Sequence, residues 1–304
     1  MKAVRESALD LPLLRKGKVR EMYDLGEHIL LVASDRISAF DCILPQPIPS
    51  KGAVLTQISQ FWFDRTESIA QNHSVSADPD VIIEHRPELA GSREEWAGRG
   101  MLVRKAETFP VECVVRGYLA GSMWKEYRES SSLAGEEMPE GMVESDQLES
   151  PIFSPATKAE EGHDENITFE QMQRIVGINV ADFLRSISLE LYEYARDFAR
   201  QRGIIIADTK FEFGSAESGE ILIIDEALTP DSSRFWPETE YEPGRSQPSL
   251  DKQPVRDYLE GLVQAGTWDR SPPAPDLPDE VVALTTERYL EAFRRITGHD
   301  LPDF

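Results

Sequence analysis

The stretch IIIADTKFEFG, residues 204–214, decides how the chain is read. It opens on three isoleucines and then alternates charged with apolar or hydroxyl side chains. Successive side chains on a strand point to opposite faces, so Asp208, Lys210 and Glu212 share one face and Phe211 and Phe213 the other. A turn signal, GSAESGE, follows at 214–220, and then the apolar run 221–224 ending in Asp225 and Glu226. These features predict an antiparallel hairpin with one face in a core and the other carrying an anion, a cation and an anion. Acids placed where buried apolar strands end suit a cleft. Mg²⁺ takes oxygen ligands, commonly one or two carboxylates completed by phosphates, which makes Glu212 and Asp225 candidate metal ligands. Lys210 is a mobile point charge suited to a phosphate or a substrate carboxylate.

Upstream of the hairpin the pattern predicts a long amphipathic helix. Thr168 and Gln171 have capping-box spacing, an apolar stripe runs from Met172 to Phe198, and Gly203 is the stop. Gly177 is a point where the helix kinks or splits. Near the start of the chain, GKVREMY at 17–23, a Gly26-Glu27 turn and the apolar run 28–33 predict another hairpin with a glycine at its mouth. It places Lys18 and Arg20 on one face, and a hairpin of this kind can lie over a triphosphate. Neither a GxxxxGK[ST] run nor a GxGxxG pattern is present. Further expectations are a helix over 54–69, strands over 81–84, 101–105 and 111–116, a short helix over 255–263 and a terminal helix over 279–297 stopped by Gly298. From Glu126 to Glu170 there are 13 acidic residues against Arg128 and Lys158, which reads as an exposed excursion. This order is not the regular alternation of a parallel βαβ sheet; it fits an α+β fold of two lobes with mainly antiparallel sheets and flanking helices.

A formal net charge of −23 on 304 residues argues against general binding to nucleic acid or to an anionic membrane. It leaves room for a local basic pocket. Two cysteines, Cys42 and Cys113, make neither a disulfide scaffold nor a cysteine-rich metal site and read as buried thiols. The apolar runs are too short to cross a bilayer and the N-terminus lacks an apolar signal core, so a cytoplasmic protein is expected.

Other clusters carry chemistry. Arg116 leaves a strand and is followed by Ser122, a pairing suited to a phosphomonoester. The run DSSR at 231–234, with Ser233 and Arg234, follows Asp225 closely enough to reach the same cleft. SPATKAEEGHDEN at 154–166 brings together Thr157, Lys158, His163 and Asp164 and reads as a loop that closes on substrates. It lacks zinc-site spacing. His28, His73, His85 and His299 read as structural or surface residues.

These runs, with SDRISAFD at 34–41, PSKGAVLTQIS at 49–59, PVECVVRGYLAGS at 110–122, IIDEALTPDSSRFW at 223–236 and PSLDKQPVRDYL at 248–259, resemble the SAICAR synthetase family across nearly the whole chain. The length resembles the longer, yeast-like form. Glu21 departs from the family pattern, which commonly has Asp after GKVR. The resemblance implies a ligase that joins 5-amino-1-(5-phosphoribosyl)imidazole-4-carboxylate (CAIR) to L-aspartate with MgATP, releasing ADP and phosphate. It implies two lobes, an ATP-clamping lobe at 1–108 and a lobe at 109–304 with metal, ribotide and aspartate sites, related to ATP-grasp and kinase-like clamps. By resemblance Lys18 and Arg20 contact ATP and Glu212 and Asp225 are metal-linked. Asp208 and Lys210 lie near the imidazole carboxylate, so that Asp208, Lys210, Glu212 and Asp225 form the catalytic set. Arg116, Ser122, Ser233 and Arg234 hold the ribotide, and the loop from Thr157 through Lys158 to His163 and Asp164 lies on the aspartate side. Asp208 or substrate phosphate is the candidate to take the amine proton. A monomer is expected rather than a dimer. The alternative enzyme is a small-molecule kinase using the same clamp; against it the chain lacks the HRDxxxxN and DFG runs of protein kinases, and a kinase would form ADP without L-aspartate. A non-enzymatic acidic scaffold has no need for Lys18, Glu212 and Asp225.

Overall fold

The structure, a computed structural model, describes residues 3–133, 136–158 and 165–304. The strand Ile204–Ser215 is the spine of a seven-stranded sheet. Its middle pairs with Val111–Tyr118, setting Asp208 opposite Arg116 and Lys210 opposite Val114. On its other edge the first half pairs with Ser233–Pro237, which sets Asp208 opposite Arg234, and the second half with Ile221–Ile224. Gln147–Phe153 extends the sheet beyond Val111–Tyr118. The expected alternation holds: Thr209, Phe211 and Phe213 are buried against the helix Ile178–Arg200, which contributes Leu184, Leu191 and Tyr192 to the same core.

The first lobe is a five-stranded antiparallel sheet in the spatial order Leu13–Lys16, Arg20–Leu25, His28–Ala33, Gly100–Arg104, Ser74–Ser76. One face packs Leu30, Val32 and Leu102 on Ile82, Leu89 and Trp96. The other packs Leu31, Met101 and Val103 on the helix Lys51–Arg65 through Val54, Leu55, Ile58 and Trp62, in a core continuous with that of the second sheet. The lobes are tied at two further places. The terminal helix Asp279–Thr297 lies on Lys51–Arg65, and the 71–73 segment hydrogen-bonds to Ile223 in both directions, Ile223 N to Gln71 O at 2.9 Å and His73 N to Ile223 O at 3.0 Å.

Several expectations are corrected. Residues 81–84 lie in a helix, Pro79–His85, because Asp78 caps it by accepting from Asp80 N at 2.8 Å and Pro79 starts it with a pre-set φ. The first-lobe helix runs Lys51–Arg65 rather than 54–69. The long helix is two, Phe169–Val176 with its Thr168/Gln171 capping box and Ile178–Arg200, broken at Gly177 with φ 87°. The acidic excursion is largely exposed up to Ser150, as expected, with a few anchors: Tyr127, Leu133 and Leu148 pack with Leu119 and Met123 in a small core of their own, and Ser145 is fully buried. Cys42 and Cys113 are free and buried, and burial pushes the Cys113 thiol up to about 12. Among the described residues no helix is long and apolar enough to cross a membrane.

Candidate active site

The charged face of Ile204–Ser215 runs between two cavities. At the Glu212 end lies a cleft of about 270 Å³ between the lobes. Its apolar wall is Met22, Ile29, Leu31, Val103 and Ile224, and its charged rim is Arg15, Lys18, Arg20, Arg104 and Lys158 facing Glu212 and Asp225. In a chain of charge −23 this excess of cations is local and marks a place for an anion.

Each acid at this end is held by a cation. Asp225 leaves the strand in the left-handed conformation, φ 63°, which a non-glycine residue adopts at a cost and which Asp tolerates better than most. It takes Arg20 at 2.5 Å, and Glu226 takes the same guanidinium at 2.7 Å. Arg20 thus crosses from the first lobe to the second. Burial pushes the Asp225 carboxyl up, but Arg20 pulls it below the usual carboxylate range. Glu212 pairs with Lys158; burial, and then the Asp225 charge, raise it above its ordinary value, with Lys158 opposing. Lys18 lies exposed on the rim, 2.6 Å from Asp41. Lys210, midway along the face, is held at 2.5 Å by buried Glu112.

At the Asp208 end the chain gathers two arginines. Asp208 accepts from Arg116 Nη1 at 3.3 Å, from the Arg234 guanidinium, and from Arg234 N at 3.3 Å. Arg116 also donates to Ser154 Oγ at 2.9 Å and to Ser122 Oγ at 3.2 Å. It is buried, and burial lowers its pKa against the pull of Asp208. Ser233 is buried and shares a hydrogen bond of 2.8 Å with Thr209, so it braces the strand pair. Arg234, not Arg116, lines the second cavity, of about 360 Å³, with Ser122, Lys125 and Arg256 among its other donors and Glu144 as an acid on its wall. The helix Gly121–Ser130 begins there with no side-chain cap and no acid in its first turn, leaving its amide donors toward the space that Ala120, Gly121 and Ser122 line. Gly121 has φ 61°, and a Cβ there would sit 2.2 Å from Arg234 Nη2, so glycine is what lets the guanidinium lie across the helix start.

Of the expected site residues, the structure brings Arg20, Lys158, Glu212 and Asp225 to one cleft, with Lys18 on its rim. Arg116, Asp208 and Arg234 gather at the other end of the face, where Ser122 and Arg234 line the second cavity, and Lys210 stands between. Thr157 pairs with Val111, next to Lys158. His163 and Asp164 lie outside the described residues. Asp231 does not face the cleft; it is taken by buried Lys51 at 2.6 Å and Tyr289 at 2.5 Å, joining both lobes to the terminal helix. Glu21 is buried 2.6 Å from Arg36 and stands apart from the cavities, so the change from Asp touches lobe packing. Sequence reasoning missed Glu112, Lys125 and Arg256. Glu112 and Arg256 carried a signal, lying in the quoted runs at 110–122 and 248–259; Lys125 is found only once the second cavity is assembled.

Among the described residues no group of three or more His, Cys, Asp or Glu side chains forms a metal cage. Glu212 and Asp225 fit a hard cation that completes its shell with phosphate oxygens and water.

The SAICAR synthetase family model matches residues 13–273. Phosphoribosylaminoimidazole-succinocarboxamide synthase of Syntrophotalea carbinolica is 56% identical over 291 residues, covering 95% of each chain. That of Geobacter sulfurreducens is 52% identical over 290 residues, again 95% of each. Among solved structures, SAICAR synthase from Saccharomyces cerevisiae complexed with SAICAR superposes with a TM-score of 0.89 at 38% identity, covering 99% of this chain and all of that one. With fold, order of motifs and similarity over its whole length in agreement, the chain belongs to the SAICAR synthetase family.

Proposed function

We propose that the chain is an ATP-dependent ligase that joins CAIR to L-aspartate, forming SAICAR, ADP and phosphate in purine biosynthesis. The observation that carries the assignment of parts is the charged face of Ile204–Ser215. At about 3.3 Å per residue, Asp208 and Glu212 lie about 13 Å apart with Lys210 midway. The ribotide phosphate goes to the Asp208 end, where Arg234, Arg256, Lys125, Ser122 and an uncapped helix start converge. MgATP goes to the Glu212 end. The imidazole carboxylate then falls near Lys210. The lobes are those at 1–108 and 109–304.

A carboxylate acylates poorly because oxide is a poor leaving group. In the proposed route a CAIR carboxylate oxygen attacks the γ-phosphorus, ADP leaves, and an acyl phosphate forms. The aspartate amine attacks the acyl carbon, phosphate leaves, and the amine gives up a proton as the amide forms. Lys18 and Arg20 hold the triphosphate, and Lys210 orients the carboxylate and offsets charge as it moves. Glu212 and Asp225 would hold Mg²⁺, which when bound would neutralise charge developing on the transferred phosphoryl group. Asp208 is engaged by two guanidiniums, so we assign it to positioning them and the amine proton to the departing phosphate. The direct test is ADP release with ATP, CAIR and L-aspartate, each omitted in turn. Release only with all three is expected; undiminished release without L-aspartate would point to a kinase instead.

Lys158 is the cation we assign to a carboxylate of L-aspartate. It stands at the cleft on Glu212, beside the loop that follows. Lys158→Ala is expected to raise the aspartate KM or depress kcat roughly 10-fold, one charge-assisted hydrogen bond, with ATP affinity nearly unchanged and Tm lowered because buried Glu212 loses its partner. Wild-type aspartate dependence at moderate salt would remove it from the site. Gly121→Ala, which pushes a methyl group into the Arg234 guanidinium, is expected to raise the CAIR KM with little change for ATP; steady-state kinetics at saturating co-substrates check it.

A further inference from the structure

The second cavity has one acid on its wall among the described residues, Glu144. Beside Lys125, Arg234 and Arg256 a negative charge opposes the phosphate that those cations suit. The other acids of the site, Asp208, Glu212 and Asp225, are each held by a cation. Among the described residues Glu144 has neither an ion pair nor a side-chain hydrogen bond, although it is half-buried and three cations share its cavity. Its carboxylate is an acceptor held ready in the space that a ligand would fill.

The backbone fixes it there. Val143 to Asp146 is a β-turn closed by Asp146 N donating to Val143 O at 3.2 Å, with Val143 N donating to Asp146 Oδ2 at 2.7 Å. Glu144 is its second residue. Ser145, the third, has φ 67°, where such turns usually take glycine, and it is fully buried. Neighbouring segments hold this conformation. Ser145 N donates to Leu119 O at 2.8 Å, Ser145 Oγ to Arg245 O at 2.9 Å and Tyr241 Oη to Ser145 O at 2.9 Å, while Glu144 O accepts from Gly244 N at 2.7 Å. A backbone kept in a sparsely populated region by surrounding contacts is found most often at ligand sites. Here the acidic excursion closes one side of the cavity and brings a single carboxylate into its wall.

A phosphorylated sugar has two kinds of polar group. Its phosphate is an anion, which Lys125, Arg234 and Arg256 suit. Its hydroxyls are neutral donors, which an ionised carboxylate suits because it only accepts. Two adjacent hydroxyls can meet the two oxygens of one carboxylate, and an acid on ribose hydroxyls is the arrangement that dinucleotide-binding folds use. We propose that Glu144 accepts hydrogen bonds from the ribose 2′- and 3′-hydroxyls of the ribotide and makes the cavity selective for a ribosyl over a deoxyribosyl substrate. Without those hydroxyls the carboxylate would face the phosphate uncompensated, so a deoxyribosyl ligand is penalised as well as unrewarded. This rests on the reading of the cavity as the ribotide site.

The test is equilibrium binding of CAIR and of its 2′,3′-dideoxyribosyl analogue to the wild-type chain, to Glu144→Ala and to Glu144→Gln. Wild type is expected to bind CAIR at least about tenfold more tightly than the analogue, the worth of one hydrogen bond to a charged acceptor. Glu144→Ala is expected to lose that preference, binding CAIR about tenfold more weakly and the analogue as before or more tightly. Glu144→Gln, which keeps the shape and one acceptor oxygen, should keep part of the preference and covers the case in which alanine loosens the turn. No preference in the wild type would overturn the proposal. So would a preference that Glu144→Ala leaves intact, whether both ligands weaken alike, tighten alike or stay as they were. Arg234→Ala separates this from the reading beneath it. If that variant weakens both ligands alike and Glu144→Ala keeps the wild-type preference, only the inference fails. If it leaves both unchanged, the ribotide is not in this cavity and both fail.

Discussion

Asp225→Asn is expected to lower kcat by roughly 10²–10³-fold, the usual scale for losing one preorganised electrostatic group at a reacting phosphoryl centre, while the CAIR KM stays nearly unchanged. The substitution isolates charge from shape. Asn is the other residue besides Asp that visits the left-handed region readily, so the φ of 63° at the end of Ile221–Ile224 is preserved. Arg20 keeps its second partner, Glu226, at 2.7 Å, so the lobe contact persists and Tm should fall only slightly. What is removed is the carboxylate that Arg20 holds ionised against burial. The end of the face proposed for the ribotide lies along the strand at Asp208, out of reach of this change. A Mg²⁺ titration of ATP turnover is the measurement. Full activity at limiting Mg²⁺ would remove Asp225 from the metal role, and a CAIR KM that rose as much as kcat fell would place it at the wrong end of the face.

How far the sequence carried follows from the range of the interactions concerned. The hairpin around Asp208, Lys210 and Glu212 was legible because strand alternation is a local pattern and Phe211 and Phe213 mark the buried face unambiguously. The Thr168 cap and the Gly298 stop were legible for the same reason: a cap is satisfied within one turn. The 81–84 segment, short and apolar, has no periodicity of its own, and the Asp78-Pro79 start outside it was the signal that decided helix. The excursion after Glu126 reads as solvated from its acidity, and up to Ser150 most of its described residues are exposed; Tyr127, Leu133 and Leu148 anchor it, in a core that depends on Gln147–Phe153 joining the sheet. The division of labour along one strand face was not legible either. Asp208 and Glu212 look alike in sequence, and only pairing with Val111–Tyr118 and Ser233–Pro237 brings two arginines to one and leaves a lysine for the other.

The charged groups of the site form pairs that substrates must rearrange. Arg20 with Asp225, Lys158 with Glu212, Lys210 with Glu112 and Arg234 with Asp208 each join a cation to an acid. Pairing of this kind keeps buried charges compensated, whereas an isolated buried charge is strongly destabilising. It also means that anionic substrates enter by sharing cations already in position, so little rearrangement accompanies phosphoryl transfer.

The ribotide end makes the sharpest distinction between touching a substrate and supporting the residue that does. Arg234 lines the cavity and is partly exposed, so Arg234→Ala is expected to raise the CAIR KM roughly 10- to 100-fold, the worth of one charged hydrogen-bonding group on a phosphate, with a much smaller change for ATP. Arg116 is buried and reaches Asp208, Ser122 and Ser154. Its removal leaves Asp208 with one guanidinium where it had two and strands two hydroxyls, one of them on fully buried Ser154. Arg116→Ala is therefore expected to raise the CAIR KM as well and, unlike Arg234→Ala, to cost about 3–5 kcal/mol of stability, as breaking a buried ion pair does. Lysine should rescue neither fully, because a point charge cannot bridge Asp208 and the serines as a planar fork does. The two losses should not add in the double variant, since both act through Asp208. CAIR kinetics and thermal melts of the three variants decide it. An unchanged CAIR KM in Arg234→Ala would move the phosphate out of this cavity. A fully stable Arg116→Ala with a raised KM would show that Arg116 meets the ribotide directly and that the supporting role drawn from its burial is wrong.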